Sequence, residues 1–146
     1  LVDRQPEADY LNHLINAGFT DLQTLALTKG IDKTFAYLIW KNPYMVAGKD
    51  TFIDDIARKI GLTNIIKQGR YPEIVLSDLV ALSPQLVFLS SEPYPFKQKH
   101  VEEIEVLLPN TKVMLVDGEM FSWYGSRLVK AFDYFALLQE KLYIYK

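Results

Sequence analysis

The sequence predicts an α/β fold: a three-layer sandwich with a mainly parallel central sheet, preceded by a long connector helix. Three observations lead there. Two apolar runs, QLVFLSS (85–91) and KVMLVD (112–117), lack the alternation of a sheet with one wet face, so both read as strands buried on two sides. Between them, a helical segment from about Lys97 to Leu108 completes the strand–helix–strand crossover of a parallel unit. Long stretches of helical periodicity at both ends of the chain supply the outer layers.

Each element has its own signal. From Pro6 to about Thr28, Leu11, Ile15, Gly18, Leu22 and Leu25 recur at helical spacing, and Leu14 and Phe19 widen the stripe. Pro6 suits a first helical turn, Glu7 and Asp9 suit the positive end of the helix dipole, and Gly30 is a stop. TFAYLIW (34–40) is β-rich and bounded by Lys-Asn-Pro, hence a strand, and MVAG (45–48) extends the pairing. Thr51 with Asp54 resembles a capping box with Asp in place of Glu; Ile53, Ile56 and Ile60 form the helical face that follows, ended by Gly61. Leu76 to Leu82 reads as a short helix stopped by Pro84. The last helix carries Leu128, Phe132, Phe135, Leu138 and Leu142 on one side.

Composition narrows the function classes. The 146 residues, 49% hydrophobic and 23% charged, are enough for one domain with its own core. A net charge of −2 argues against a nucleic-acid binder that relies on a basic face. No apolar run has the length of a membrane-spanning helix. The absence of cysteine removes disulfides, thiolate metal sites and cysteine nucleophiles, and fits an exported protein as well as a cytosolic one. The chain starts at Leu1 rather than Met, and is read as a processed or trimmed piece.

In open parallel sheets, ligands bind beyond the carboxyl ends of the strands. Three predicted strand ends carry aromatics beside polar groups: Trp40-Lys41-Asn42-Pro43-Tyr44, Ser90 through Phe96, and DGEMFSWYGSR (117–127). Gly69-Arg70-Tyr71-Pro72 adds a fourth aromatic loop. Such side chains give large contact area with few rotors to freeze. Each also has an ordinary reading as core or loop packing. Catalytic patterns are poor. Asp117 and Glu119 flank a glycine and read as a turn before they read as a catalytic pair; Ser90, Ser91 and Ser122 lack a nucleophile elbow. His100 with Glu103 reads as a solvated helix face rather than a metal pair, and no glycine-rich phosphate loop is present. Arg127 is suited either to clamp an anionic ligand group or to pair with Asp117 or Glu119.

Taken together, IWKNPYMVAGKDTFIDDIARKIGLTNI, RYPEIVLSDLVALSPQLVFLSSEPYPF and VMLVDGEMFSWYGSR resemble the C-terminal lobe of the helical-backbone substrate-binding proteins of ABC importers, in particular the cobalamin-binding or metal-receptor branch. The similarity runs from about Phe35 to Leu138. It implies a non-enzymatic, periplasmic or lipid-anchored extracytoplasmic protein that holds cobalamin, a ferric siderophore or haem between two lobes and delivers it to a permease. Residues 1–29 are then the connector helix and 30–146 the C-terminal lobe, with the N-terminal lobe outside this chain. The resemblance implies ligand contacts at Trp40, Tyr44, Tyr71, Glu92, Tyr94, Trp123, Tyr124 and Arg127, with no cofactor and no resident metal. Permease docking in such proteins uses a glutamate early in the short helix after the RYPEI-like loop. Ser77 stands there in this sequence, so Asp78 or Glu73 is the expected substitute. An isolated lobe with an uncovered aromatic face is expected to self-associate. The competing readings are a hydrolase or transferase fragment using Asp117, Glu119 and Arg127, and a protein-interaction module.

Overall fold

The structure, a computed structural model, describes residues 5–123 and 125–144, the last of these in its backbone only. Helix α1 (Gln5–Lys29) leads into strand β1 (Lys33–Trp40), which is followed by β2 (Tyr44–Val46) and α2 (Phe52–Lys59). Next come β3 (Leu62–Asn64), β4 (Glu73–Ile74) and α3 (Leu76–Leu82). The crossover β5 (Leu86–Ser90), α4 (Gln98–Leu107), β6 (Lys112–Val116) follows, then a 3₁₀ turn at Met120–Ser122 and α5 (Ser126–Ile144).

One six-stranded mixed sheet runs in the order β4-β2-β1-β5-β6, with β3 pairing the beginning of β1. β1 is parallel to β5, β5 to β6 and β3 to β1; β2 and β4 are antiparallel additions. The parallel centre explains the unbroken apolar runs: every residue of β5 is buried. The antiparallel strands are two and three residues long, and β3 is equally short, too brief for a period to show.

The alternation of side chains along the strands divides the core in two. On one face Phe35, Tyr37 and Phe88 pack under α1, α2 and α5 through Phe19, Leu22, Ile56, Leu128, Phe135 and Leu138. On the other, Ala36, Leu38, Val87 and Leu89 pack under α3 and α4 through Leu79, Val101 and Ile104. These are the three layers. Helix α2 starts as expected: Thr51 Oγ1 accepts from Asp54 N at 3.1 Å. The Asp54 carboxylate, however, pairs with Arg58 Nε at 3.5 Å, so only half of a capping box forms. Gly61 adopts φ +101° and passes within a methyl contact of Ala26, a conformation that favours glycine.

Helix α1 is held at its C-terminal half. Phe19, Leu22 and Ala26 are buried, whereas residues 5–10 are all exposed. Phe19 meets the ring of Phe132 edge-on at 5.1 Å, and Gly18 lets that ring lie against the helix backbone. The fully buried Gln139 of α5 donates from Nε2 to Leu22 O at 2.7 Å and Ile60 O at 3.2 Å, so one amide joins three helices. Lys29 pairs with Glu140 at 2.8 Å beside it.

Asn64 does the corresponding work on the other side. Its Nδ2 donates to Ala47 O at 2.9 Å and its Oδ1 accepts from Ile66 N at 3.0 Å, both bonds buried. Replacing Asn64 with Leu keeps the volume but strands two buried backbone groups, each worth about 1–3 kcal/mol. The expected outcome is a loss of about 2–4 kcal/mol in urea unfolding, with an unchanged denaturant slope.

Candidate functional site

The parallel strands β1, β5 and β6 end on the same edge, and the chain leaves each of them into a loop tied to its neighbours. Ser91 N donates to Val116 O at 3.0 Å and Tyr94 N to Ile39 O at 3.3 Å. Gly118 N donates to Ser91 Oγ at 3.0 Å, and Asp117 N to the Tyr134 hydroxyl at 2.8 Å. The floor is a buried hydroxyl pair. Tyr37 Oη donates to Ser90 Oγ at 3.1 Å, and Ser90 Oγ donates to Glu92 O at 2.6 Å. Burial pushes the Tyr37 phenol well above its usual range, so it stays a protonated donor. A Cβ on Gly118 would collide with Ser90 Oγ and lie 3.0 Å from Glu92 O, so only glycine lets the two loops meet here.

Above this floor lies a cleft with two adjoining compartments. The first, of about 440 Å³, is walled by Tyr37, Ile39, Ile53, Tyr71, Pro93 and Gly118 and is largely apolar. The second, of about 480 Å³, is walled by Glu92, Glu119, Ser122, Trp123 and Arg127. Glu92 and Ser122 belong to both. The Arg127 guanidinium carbon stands 5.3 Å from the centre of the Trp123 ring, a cation–π stack. Among the described residues it forms no salt bridge, so it pairs with neither Asp117 nor Glu119. The Asp117 carboxylate turns back on its own loop and accepts from Glu119 N at 3.0 Å, as a turn residue does. Asp117, Glu119 and Arg127 are therefore not assembled into one catalytic group.

Of the side chains singled out from the sequence, Tyr71, Glu92, Trp123 and Arg127 come together in this cleft. Tyr124 lies outside the described residues. Trp40 and Tyr94 stack on each other edge-on at 5.5 Å, and Tyr94 continues into Phe96 and His100 on the α4 side of the sheet. Parity explains this: Tyr37 and Ile39 face the cleft, so Leu38 and Trp40 point the other way. Tyr44 lines a separate groove of about 380 Å³ together with Asn42, Pro43, Glu73, Val75, Leu76 and Asp78. Asp78 Oδ2 there accepts from Val75 N at 3.1 Å and thereby caps α3. Tyr37, Ile39 and Ile53 were not anticipated in the cleft; the strand parity of β1 is the signal that places the first two.

His100 overturns its sequence reading. It is neither on a solvated face nor beside a metal group; it is buried, and its Nδ1 accepts from Lys97 N at 2.8 Å at the start of α4. Glu103 pairs instead with Lys41 at 3.3 Å. Among the described residues no group of three or more His, Asp or Glu is placed to hold a metal.

With this geometry in hand, comparison with known proteins shows the fold. No protein-family model and no curated sequence matches the chain. Among solved structures, an ABC transporter substrate-binding protein from Listeria monocytogenes matches with a TM-score of 0.75 at 17% identity, over 91% of this chain and 57% of the other. The periplasmic vitamin B12 binding protein of Vibrio cholerae matches at 0.66 and 14% identity, over 87% and 51%. A periplasmic heme binding protein from Pseudomonas aeruginosa matches at 0.69 and 18% identity, over 92% and 50%. The chain thus has the fold of a periplasmic binding-protein lobe and spans about half the length of the solved structures it matches.

His100, away from the cleft, gives the stability of the fold a pH dependence. Burial lowers its pKa, Lys41 and Lys99 add to the lowering, and Glu103 opposes it. A base depressed in the folded state contributes stability that is complete above its unfolded value of about 6.5 and is lost as pH falls below it. Urea unfolding at pH 7 and pH 5 should show that loss, and His100→Gln, which retains an acceptor for Lys97 N without titrating, should reduce it.

Proposed function

We propose that this chain is the C-terminal lobe of the substrate-binding component of an ABC importer. It captures a metal-containing ligand of the cobalamin, ferric siderophore or haem class between itself and a second lobe, and delivers it to a permease. Residues 30–146 are the lobe and residues 1–29 the connector helix. The protein works in the periplasm or otherwise outside the cytoplasmic membrane, where some proteins of this type are held by a lipid.

One observation carries this reading: the cleft at the carboxyl ends of β1, β5 and β6, with Tyr71 in its apolar compartment and Trp123 and Arg127 in the charged one. It is a wall rather than an enclosed chamber, as a ligand shared between two lobes requires. The fold shared with binding proteins for vitamin B12 and heme supports it. So does the long helix α1, whose first turns extend clear of the lobe. A second surface suits permease docking. Glu73 and Asp78 lie together in the Tyr44 groove, apart from the cleft, and Val75 and Val80 are exposed beside them. Asp78 is committed to capping α3, which leaves Glu73 as the carboxylate free of ion pairs among the described residues.

Tryptophan fluorescence tests the ligand assignment. The intact two-lobed protein, titrated with cyanocobalamin, haem and ferric siderophores, should be quenched by one of these classes. Trp123→Phe should remove most of the response, whereas Trp40→Phe should retain it. Tyr71→Ala should weaken binding roughly ten- to a hundred-fold, the equivalent of one buried aromatic. Absence of a response to every ligand would overturn the importer reading.

A further inference from the structure

The loop from Ser90 to Phe96 supplies Glu92 and Pro93 to the cleft and is anchored at both ends. Its first anchor is the Ser90 hydroxyl, which donates to Glu92 O. Its second lies at the start of α4, on the other side of the sheet from α5. Tyr94 N donates to Ile39 O at 3.3 Å and Phe96 N to Tyr94 O at 2.9 Å, which turns the chain away from the cleft. The Tyr94 and Phe96 rings, 4.7 Å apart, both meet the His100 imidazole edge-on, at 5.6 and 5.4 Å. His100 in turn is locked to Lys97. Its own N donates to Lys97 O at 2.9 Å, and Lys97 N donates to its Nδ1 at 2.8 Å. Phe96 and His100 are both buried.

We infer that His100 is a positioning residue for the cleft: its neutral imidazole fixes the loop that carries Glu92 and Pro93, and a proton on the ring releases that loop. The inference rests on the reading of the cleft as the ligand site. Because Nδ1 accepts, the neutral ring carries its hydrogen on Nε2, so an added proton lands on the atom that holds Lys97 N. Two donors then face each other across 2.8 Å, and the cap of α4 breaks. The surroundings do not absorb the new charge. Lys41 from the loop after β1 and Lys97 and Lys99 at the start of α4 are cations, and the Glu103 carboxylate is held by Lys41 at 3.3 Å. Burial raises the Tyr44 phenol, which stays neutral beside Lys41, and Tyr94 turns its ring to the imidazole. Leu38, Val87, Leu89 and Val113 on this face of the sheet do not titrate. The charged ring is relieved by parting from Tyr94 and Phe96, and the turn after Pro93 moves with them. The Ser90 anchor does not share this response, because burial keeps the Tyr37 phenol protonated.

Hydrogen exchange and calorimetry on the intact two-lobed protein test this. Protection of the Tyr94, Phe96 and Lys97 amides, corrected for intrinsic rates, should fall roughly two- to ten-fold between pH 7 and pH 5, the equivalent of one hydrogen bond. Protection of the Asp117 amide, bonded to Tyr134 in the other loop, should be retained. Cyanocobalamin and a neutral ferric trihydroxamate, neither of which titrates in this range, serve as probes. Whichever binds should lose affinity by a similar factor at pH 5. His100→Gln, which still accepts from Lys97 N, should bind equally at both pH values, and His100→Ala should bind more weakly than His100→Gln at pH 7. If His100→Ala does not fold, the pH profile of His100→Gln decides. Equal affinity at pH 7 and pH 5 in the unmodified protein, a fall that persists in His100→Gln, or a loss of protection that extends to Asp117 overturns the positioning role while the importer reading stands. No binding of either probe or of haem at pH 7 overturns both.

Discussion

A hydroxyl group at the end of a fully buried strand must find partners for its proton and its lone pairs, and Ser90 finds them on strand β1 and in the loop that follows its own strand. It accepts from Tyr37 on β1 and donates to the carbonyl of Glu92 in the loop that follows it. Gly118, from the loop after β6, presses against the same oxygen. Three strand ends thus converge on one atom that is almost inaccessible to water. The positions of Glu92, Pro93 and the 117–123 segment follow from satisfying that atom, because a buried polar group left unpaired costs more than any single alternative contact returns. The cleft has a rigid floor for this reason, and its walls inherit their spacing from it.

The sheet then sorts the aromatic side chains by parity. Residues of β1 that face α1 and α5 reach the cleft, whereas Trp40, one residue beyond Ile39, joins Tyr94, Phe96 and His100 above α4. Tyr44 is carried by β2 to a third location beside Glu73. What reads along the chain as one aromatic edge is in space three surfaces: an apolar and charged cleft, a packed cluster around a buried imidazole, and an acidic groove.

The fold was legible wherever a segment was long enough to show a period. The helices at 6–28, 76–82 and 97–108, the crossover between 85–91 and 112–117, and the last helix all stand where the pattern put them. β3 and β4 escaped because two or three residues have no period, and their pairing is dictated by β1 and β2 rather than by their own composition. The rule that ligands meet strand carboxyl ends picked out the loops at 69–72, 90–96 and 117–127 that line the candidate cleft, and also 40–44, which lines a different groove. Which side chains share a surface was not legible, since that depends on whether a residue falls an odd or an even number of steps from the strand end. His100 shows the same limit: the spacing to Glu103 is visible in sequence, but its burial and its bond to Lys97 N come from how α4 lies on the sheet.

Helix α1 has one further consequence. Its 25 residues span ~37 Å at 1.5 Å per residue, yet residues 5–10 are all exposed and full burial begins only at Phe19, with Ile15 packed against the core before it. The first part of the helix is a lever whose fulcrum is the Gly18–Phe132 seat and the Gln139 amide. A lever magnifies its bearing: with ~15 Å between Gln5 and Ile15, a tilt of about 10° displaces the tip by ~2–3 Å. The angle at which the start of α1 stands relative to the lobe is therefore set by the seat of Gly18 against the Phe132 ring. The cleft and the bearing of α1 are thus built from different residues, and selection can tune one without disturbing the other.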